Sequence, residues 1–163
     1  MCVVCVVGGP IDRFPQFPHR SVDCVNALID CENFYVSCER VFDPALRKQP
    51  VAVLSNNDGC IIARSEKLKA KGIPMGAPYF KWQDTLEALN AAVLSSNYAL
   101  YGDMSSRVAS ILETEALELE RYSIDEAFLT LPALSRENLQ RLGETIRRRV
   151  KRWVGVPIRV GIG

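Results

Sequence analysis

The residues best suited to chemistry lie in Tyr122-Ser123-Ile124-Asp125-Glu126-Ala127-Phe128, where two adjacent acids interrupt an apolar, strand-like run. Adjacent residues on a strand point to opposite faces. Turns favour Gly, Pro, Asn and Asp over the Ile, Ala and Phe that surround these acids. A carboxylate among apolar groups is costly unless a cation compensates it, and hard divalent ions such as Mg2+ prefer carboxylate oxygens. A hairpin with two solvated acids is the competing reading of Asp125-Glu126 alone. A second segment, Leu28 to Glu39, shifts the weight: an apolar strand ends in Asp30, and a helix-like stretch with Phe34 and Tyr35 follows at once. An acid at a strand end and an acid pair on a neighbouring strand can converge on one point. Three carboxylates there can hold two divalent ions roughly 3.5–4 Å apart and align two oxygens on phosphorus.

Those residues need elements to hold them. Ala27 to Cys31 reads as a buried strand, and Asn33 as the cap of a helix from Phe34 to Val41. Val51 to Leu54 and Cys60 to Ala63 read as a strand pair around the turn signal Asn56-Asn57-Asp58-Gly59. A short basic helix is expected from Arg64 to Lys71, with Lys67 and Lys69 within it and Gly72 ending it. Gly72 to Pro78 is a rigid loop, Gln83 to Asn90 a helix and Ala92 to Ser95 a strand. Leu100, Met104, Val108, Ile111 and Leu112 recur at helical spacing and predict a helix over 98–116 with its apolar face on a sheet. Asp103 on that helix reads as structural. Leu119 to Tyr122 and Ala127 to Leu131 predict antiparallel strands around an Asp125-Glu126 turn. Ser135 caps a helix to about Trp153, and Pro157 to Gly163 starts a last strand. The basic run Arg147 to Arg152 suits a helix C-terminus through the dipole, so a solvated face competes with a nucleic-acid contact.

The totals exclude little. A chain of 163 residues can bury one real core, and 48% hydrophobic with 24% charged residues fits a globular protein. A net charge of +1 gives no bulk attraction for nucleic acid, so a local patch would have to supply it. No apolar run approaches a membrane span. All six cysteines precede residue 61; Cys31, Cys38 and Cys60 sit in apolar segments and read as buried thiols in a reducing compartment. Met1 to Asn26 joins a brief apolar run (Cys2 to Val7) to a stretch broken by Gly8-Gly9-Pro10, Pro15 and Pro18. Cys2 and Cys5 lack a second pair at zinc spacing, the run suits a signal peptide badly, and His19 has no evident catalytic partner.

Asp30 to Glu39, Pro50 to Gly76 (centred on Ser55-Asn56-Asn57-Asp58-Gly59-Cys60-Ile61-Ile62-Ala63-Arg64), Ser95 to Tyr98 with Tyr101 to Ser105, and Tyr122 to Phe128 occur in this order. Together, from about Ala27 to Gly163, they resemble the amino-terminal part of a Y-family, translesion DNA polymerase of the UmuC type. The resemblance implies an α+β fold: a ferredoxin-like palm (27–42 and 92–163) with small inserted fingers (about 43–91), thumb and little finger being absent. Residues 1–26 are expected to be a disordered or non-native extension. Asp30, Asp125 and Glu126 would be catalytic and hold two Mg2+ ions, for which Mn2+ can substitute, and the Cys31 backbone carbonyl would add a ligand. Tyr35 would be the steric gate against a 2′-hydroxyl, with Phe34 shaping the same pocket; otherwise both are core aromatics. Arg64 would lie near the nascent base pair and Lys69 would touch the phosphates. Glu66 stands where several relatives carry an aromatic phosphate contact. The implied partners are primed DNA template and dNTP, a UmuD-like accessory protein and the sliding clamp, whose binding region is absent. The implied setting is error-prone synthesis in the SOS response of a bacterial cytoplasm, at the nucleoid. A non-catalytic truncated fragment and another two-metal palm enzyme, such as a nucleotidyl cyclase, are the alternatives.

Overall fold

A computed structural model describes residues 4–6 and 23–163. Within 1–26, expected to be an extension, the described residues Val4–Val6 form a strand and residues 24–26 begin another; residues 1–3 and 7–22, with Cys2 and His19, lie outside the described residues. In chain order the elements are β1 (Val4–Val6), β2 (Cys24–Cys31), α1 (Phe34–Phe42), β3 (Val51–Leu54), β4 (Ile61–Arg64), α2 (Glu66–Ala70), α3 (Gln83–Ala88), β5 (Ala92–Ser95), α4 (Tyr98–Glu113), β6 (Glu118–Arg121), β7 (Glu126–Pro132), α5 (Arg136–Trp153) and β8 (Ile158–Ile162). They form two compact units, one from the segments up to Glu32 and from Gly102 to Gly163, the other from Asn33 to Tyr101.

The first unit carries a five-stranded sheet in the order β1-β8-β2-β7-β6. β2 runs antiparallel to both β7 and β8, and β6 antiparallel to β7. Leaving β1 aside, the strands β2, β6, β7 and β8 with α4 and α5 make the ferredoxin-like βαββαβ unit. Strand alternation sorts the side chains of β2: Ala27, Ile29 and Cys31 are buried, whereas Leu28 and Asp30 on the other face are half-buried. Ser105, Val108, Ala109 and Leu112 of α4 line a cleft with Ile29, Cys31 and Ala127, so the apolar stripe of α4 faces the sheet as its spacing required. The helix ends at Glu113, short of the expected 116. Ser135 accepts a hydrogen bond from the Asn138 N–H (3.4 Å) at the start of α5. Leu139, Gly143, Ile146 and Val150 form the buried stripe of that helix.

The second unit has a three-stranded sheet, β4-β3-β5, with β3 antiparallel to β4 and parallel to β5. Ala52, Ile61, Leu68, Ile73, Ala77 and Leu86 make its core. The Asn56–Gly59 turn lies in a longer connection, 55–60, where Gly59 takes φ +64° and the Asn56 amide donates to the Ser96 carbonyl (2.9 Å). Gly72, at φ +77°, ends α2: its N–H reaches the Lys69 carbonyl, and the Ile73 N–H reaches the Leu68 carbonyl. Leu68 and Ile73 then meet in the core, the apolar contact that accompanies such a helix end.

Candidate active site

The acid residues are brought together by backbone pairing in the larger sheet. Asp30, next to last in β2, lies opposite Glu126, the first residue of β7. The Cys31 N–H donates to the Asp125 carbonyl (2.9 Å), which ties the neighbouring acid to the same end. The turn differs from the expected Asp125-Glu126 pair. Residues 122–125 form it, the N–H groups of Tyr122 and Ser123 both donate to the Glu126 carbonyl (3.1 Å each), and Glu126 already belongs to a strand. Tyr122 is exposed and packs edge-on against Phe128 (ring centroids 5.6 Å apart). All three acids are half-buried.

The electrostatics of this corner follow from crowding. Burial pushes the Asp30 carboxyl above its ordinary 3.8, and the charges of Asp125, Glu126 and Glu32 push the same way; the Arg159 guanidinium opposes them. Arg159 stands opposite Asp30 on β8, and its Nε donates to Glu32 Oε1 (3.4 Å). The Ser123 hydroxyl donates to Asp125 Oδ1 (2.9 Å), with Glu126 Oε2 further off (3.4 Å), while its oxygen accepts from the Glu126 N–H (3.1 Å). The backbone thus converges on three hard oxygen donors with too little positive charge between them, a donor set that suits a divalent cation. Their side chains are not drawn into a ready-made ligand shell: among the described residues no three His, Cys, Asp or Glu side chains stand together as an ion would need.

The second unit holds the aromatic and basic residues. Phe34 is buried and Tyr35 is half-buried, with ring centroids 5.9 Å apart. Tyr35 stacks on Tyr101 (4.2 Å, 15° between planes), and Tyr98 meets both rings edge-on (6.2 Å). The fully buried Tyr101 donates its hydroxyl to Glu39 Oε1 (2.7 Å). Burial, and then this hydrogen bond, push the Tyr101 phenol well above its usual range. Beside it, burial pushes the Cys38 thiol up to about 12, so it is a packing group rather than a nucleophile.

Several local expectations are corrected here. Arg64 ends strand β4 instead of opening a helix, since Ser65 occupies the cap of α2. Its Nε is buried without a hydrogen-bond partner among the described residues. Asn33 stands at the cap of α1 in a left-handed conformation (φ 46°), and its side chain donates to Glu66 Oε1 (3.0 Å) instead of to the helix end. Lys69 pairs with that Glu66 oxygen (2.9 Å), and Lys67 donates to the Lys48 carbonyl. Cys60 is half-buried rather than buried and forms a bridge with Pro78.

The sequence reading missed Ser123, Arg159 and Tyr101. A hydroxyl two residues before an acid is a local turn signal that could have marked Ser123. Tyr98 and Tyr101, three apart on a helix, share a face and could have been paired. Arg159 carries no local signal, because only strand register sets it opposite Asp30.

A ferredoxin-like sheet with acids at the adjoining ends of its first and third strands is the arrangement that the resemblance to a polymerase palm implies. Comparison with known proteins agrees. The impB/mucB/samB family matches residues 29–163. The chain is 48% identical over 124 residues to "Protein ImpB" of Salmonella typhimurium, covering 76% of this chain and 29% of that protein. It is 46% identical over 123 residues to "Protein UmuC" of Salmonella typhimurium (strain LT2), covering 75% and 29%. Among solved structures, an insertion ternary complex of Dbh DNA polymerase superposes with a TM-score of 0.76 at 21% identity, over 85% of this chain and 42% of that one. The chain belongs to the impB/mucB/samB family of Y-family polymerase domains. It spans about 30% of the length of these curated relatives.

Proposed function

We propose that this chain is the palm-and-fingers part of an error-prone translesion DNA polymerase that adds dNTPs to a primed template. The observation that carries this reading is the strand register that opposes Asp30 and Glu126 and ties Asp125 beside them through Cys31. Asp30, Asp125 and Glu126 would hold two Mg2+ ions, with the Cys31 carbonyl as a further oxygen. When bound, such ions lower the pKa of an attacking hydroxyl and offset charge on the departing pyrophosphate. The chain's own residues do the rest by position. Ser123 steadies the Asp125 carboxylate, and Glu126 reaches the same point from the strand. In the smaller unit, Tyr35 would exclude a sugar 2′-hydroxyl, with Phe34 behind it. Arg64 and Lys69 would meet the base pair and the phosphates.

Primed DNA and dNTP are the substrates of this reading, and a UmuD-like protein and a sliding clamp its accessory partners, in SOS repair at the bacterial nucleoid. Among the described residues no helix is long and apolar enough to cross a membrane. The share of the relatives that the chain spans supports its being an incomplete part of the enzyme, with a non-catalytic fragment as the second reading. Primer extension by the purified chain with Mg2+ or Mn2+, beside Asp125→Ala, tests both. Template-directed extension that the variant loses supports the polymerase site. Product that ignores the template would point to a cyclase-like enzyme instead, and no extension by either protein would favour the non-catalytic reading.

A further inference from the structure

Glu66 lies at the first turn of α2 and its carboxylate is shared. Its Oε1 accepts from the Lys69 ammonium at 2.9 Å and from the Asn33 amide at 3.0 Å. The Asn33 contact links the start of α1 to α2 within one unit, so this oxygen is positioned from two elements. The pair is open to solvent, with 69% of the Glu66 side chain and 37% of the Lys69 side chain exposed. The other cations of this stretch are placed differently. Lys67 is turned to the Lys48 carbonyl, and Arg64 ends the preceding strand.

We propose that Glu66 is a resident anion on the phosphate-binding lysine: it occupies Lys69 in the nucleotide-free protein, and an incoming triphosphate must displace it. The inference rests on Lys69 being a phosphate contact. One ammonium cannot fully serve a carboxylate and a triphosphate together, because the two anions repel at hydrogen-bonding separation. The carboxylate therefore weakens nucleotide affinity by the strength of an exposed ion pair, about threefold. Anchorage by Asn33 keeps Glu66 over Lys69 instead of letting it swing into solvent. A Gln at position 66 would retain an acceptor for the Asn33 amide while removing the charge.

The test is equilibrium titration of the whole chain with a fluorescent dATP analogue in Mg2+, for the wild type, E66Q, K69M and the double variant. Both side chains are exposed, and circular dichroism melts verify folding. K69M should weaken binding about tenfold, as expected for loss of a charged contact. E66Q should tighten it about threefold, and that gain should shrink at high salt. In the K69M background the E66Q gain should vanish. Unchanged or weaker binding by E66Q, or a gain that persists without Lys69, overturns the proposal while leaving the Lys69 assignment intact. Wild-type affinity in K69M removes the assignment on which the proposal rests. Absence of saturable binding by all four proteins overturns both.

Discussion

In the larger sheet the acids are placed by backbone: Asp30 meets Glu126 through strand register, and Asp125 is fixed through its own carbonyl. In the smaller unit the corresponding residues are placed by side chains: Tyr35 by the Tyr101 ring, Tyr101 by Glu39, and Lys69 by Glu66. The difference predicts how each region responds to substitution. A site held by main-chain bonds loses chemistry without losing shape when a side chain is changed. A site held by stacked and hydrogen-bonded side chains loses shape together with its contacts.

The most severe consequence should come where shape is spared. Asp125→Asn and Glu126→Gln, made in an active full-length relative of this family, should cut synthesis by more than about 100-fold, the scale of removing one key electrostatic group. Thermal melts should stay within a degree or two of the parent, since no backbone bond is touched. Retained synthesis would take these acids out of the metal site, and a collapsed melting temperature would break the contrast between the units. Next comes Tyr101→Ala in the present chain, which should cost about 3–4 kcal/mol in urea unfolding, as for other large buried aromatics. Tyr101→Phe keeps the ring and should cost about 1 kcal/mol for the lost Glu39 bond. A near-zero cost for Tyr101→Phe would show that stacking alone positions the ring.

Asp30 sharpens the comparison from the other side. Its carboxyl is held above 3.8 in the fold, so the native state binds the proton more tightly than the unfolded chain does. The penalty is full above the raised pKa and is lifted as pH falls towards 3.8. Asp30→Asn should therefore raise the melting temperature at pH 7. The gain over wild type should fade towards acid pH. A variant less stable than wild type at pH 7 would show that Arg159 outweighs crowding. Gly72→Ala should have an effect of about the size of Tyr101→Phe. A Cβ there meets no atom within 4 Å, so only the left-handed backbone resists it, at a cost of about 1 kcal/mol by denaturant midpoint.

How much of this was legible depended on range. The strand, turn and helix types followed from local pattern, and β3 and β5 fell on the expected residues Val51–Leu54 and Ala92–Ser95. The pairing of the strand of Asp30 with that of Glu126 was also visible, because two apolar runs bearing acids invite pairing. Boundaries misled where a neighbour claimed a residue. Arg64 reads as helical beside Lys67 and Lys69, yet the pairing of β4 with β3 takes it into a strand. Asn33 reads as a cap, yet its amide is drawn to Glu66, 33 residues away. Arg159 was invisible for the same reason, since its position opposite Asp30 exists only once β2 and β8 have paired.

The three residues Val4–Val6 pair in parallel with Val160, Gly161 and Ile162 on the side of β8 away from β2. Without them, that strand would offer water a row of unsatisfied N–H and C=O groups flanked by Ile158, Val160 and Ile162. A bare apolar strand edge is a template on which other chains add strands. This short pairing thus acts as a guard on colloidal behaviour: shortening the amino end past Val6 should show first as association between molecules, before any loss at the acid corner or the tyrosine stack.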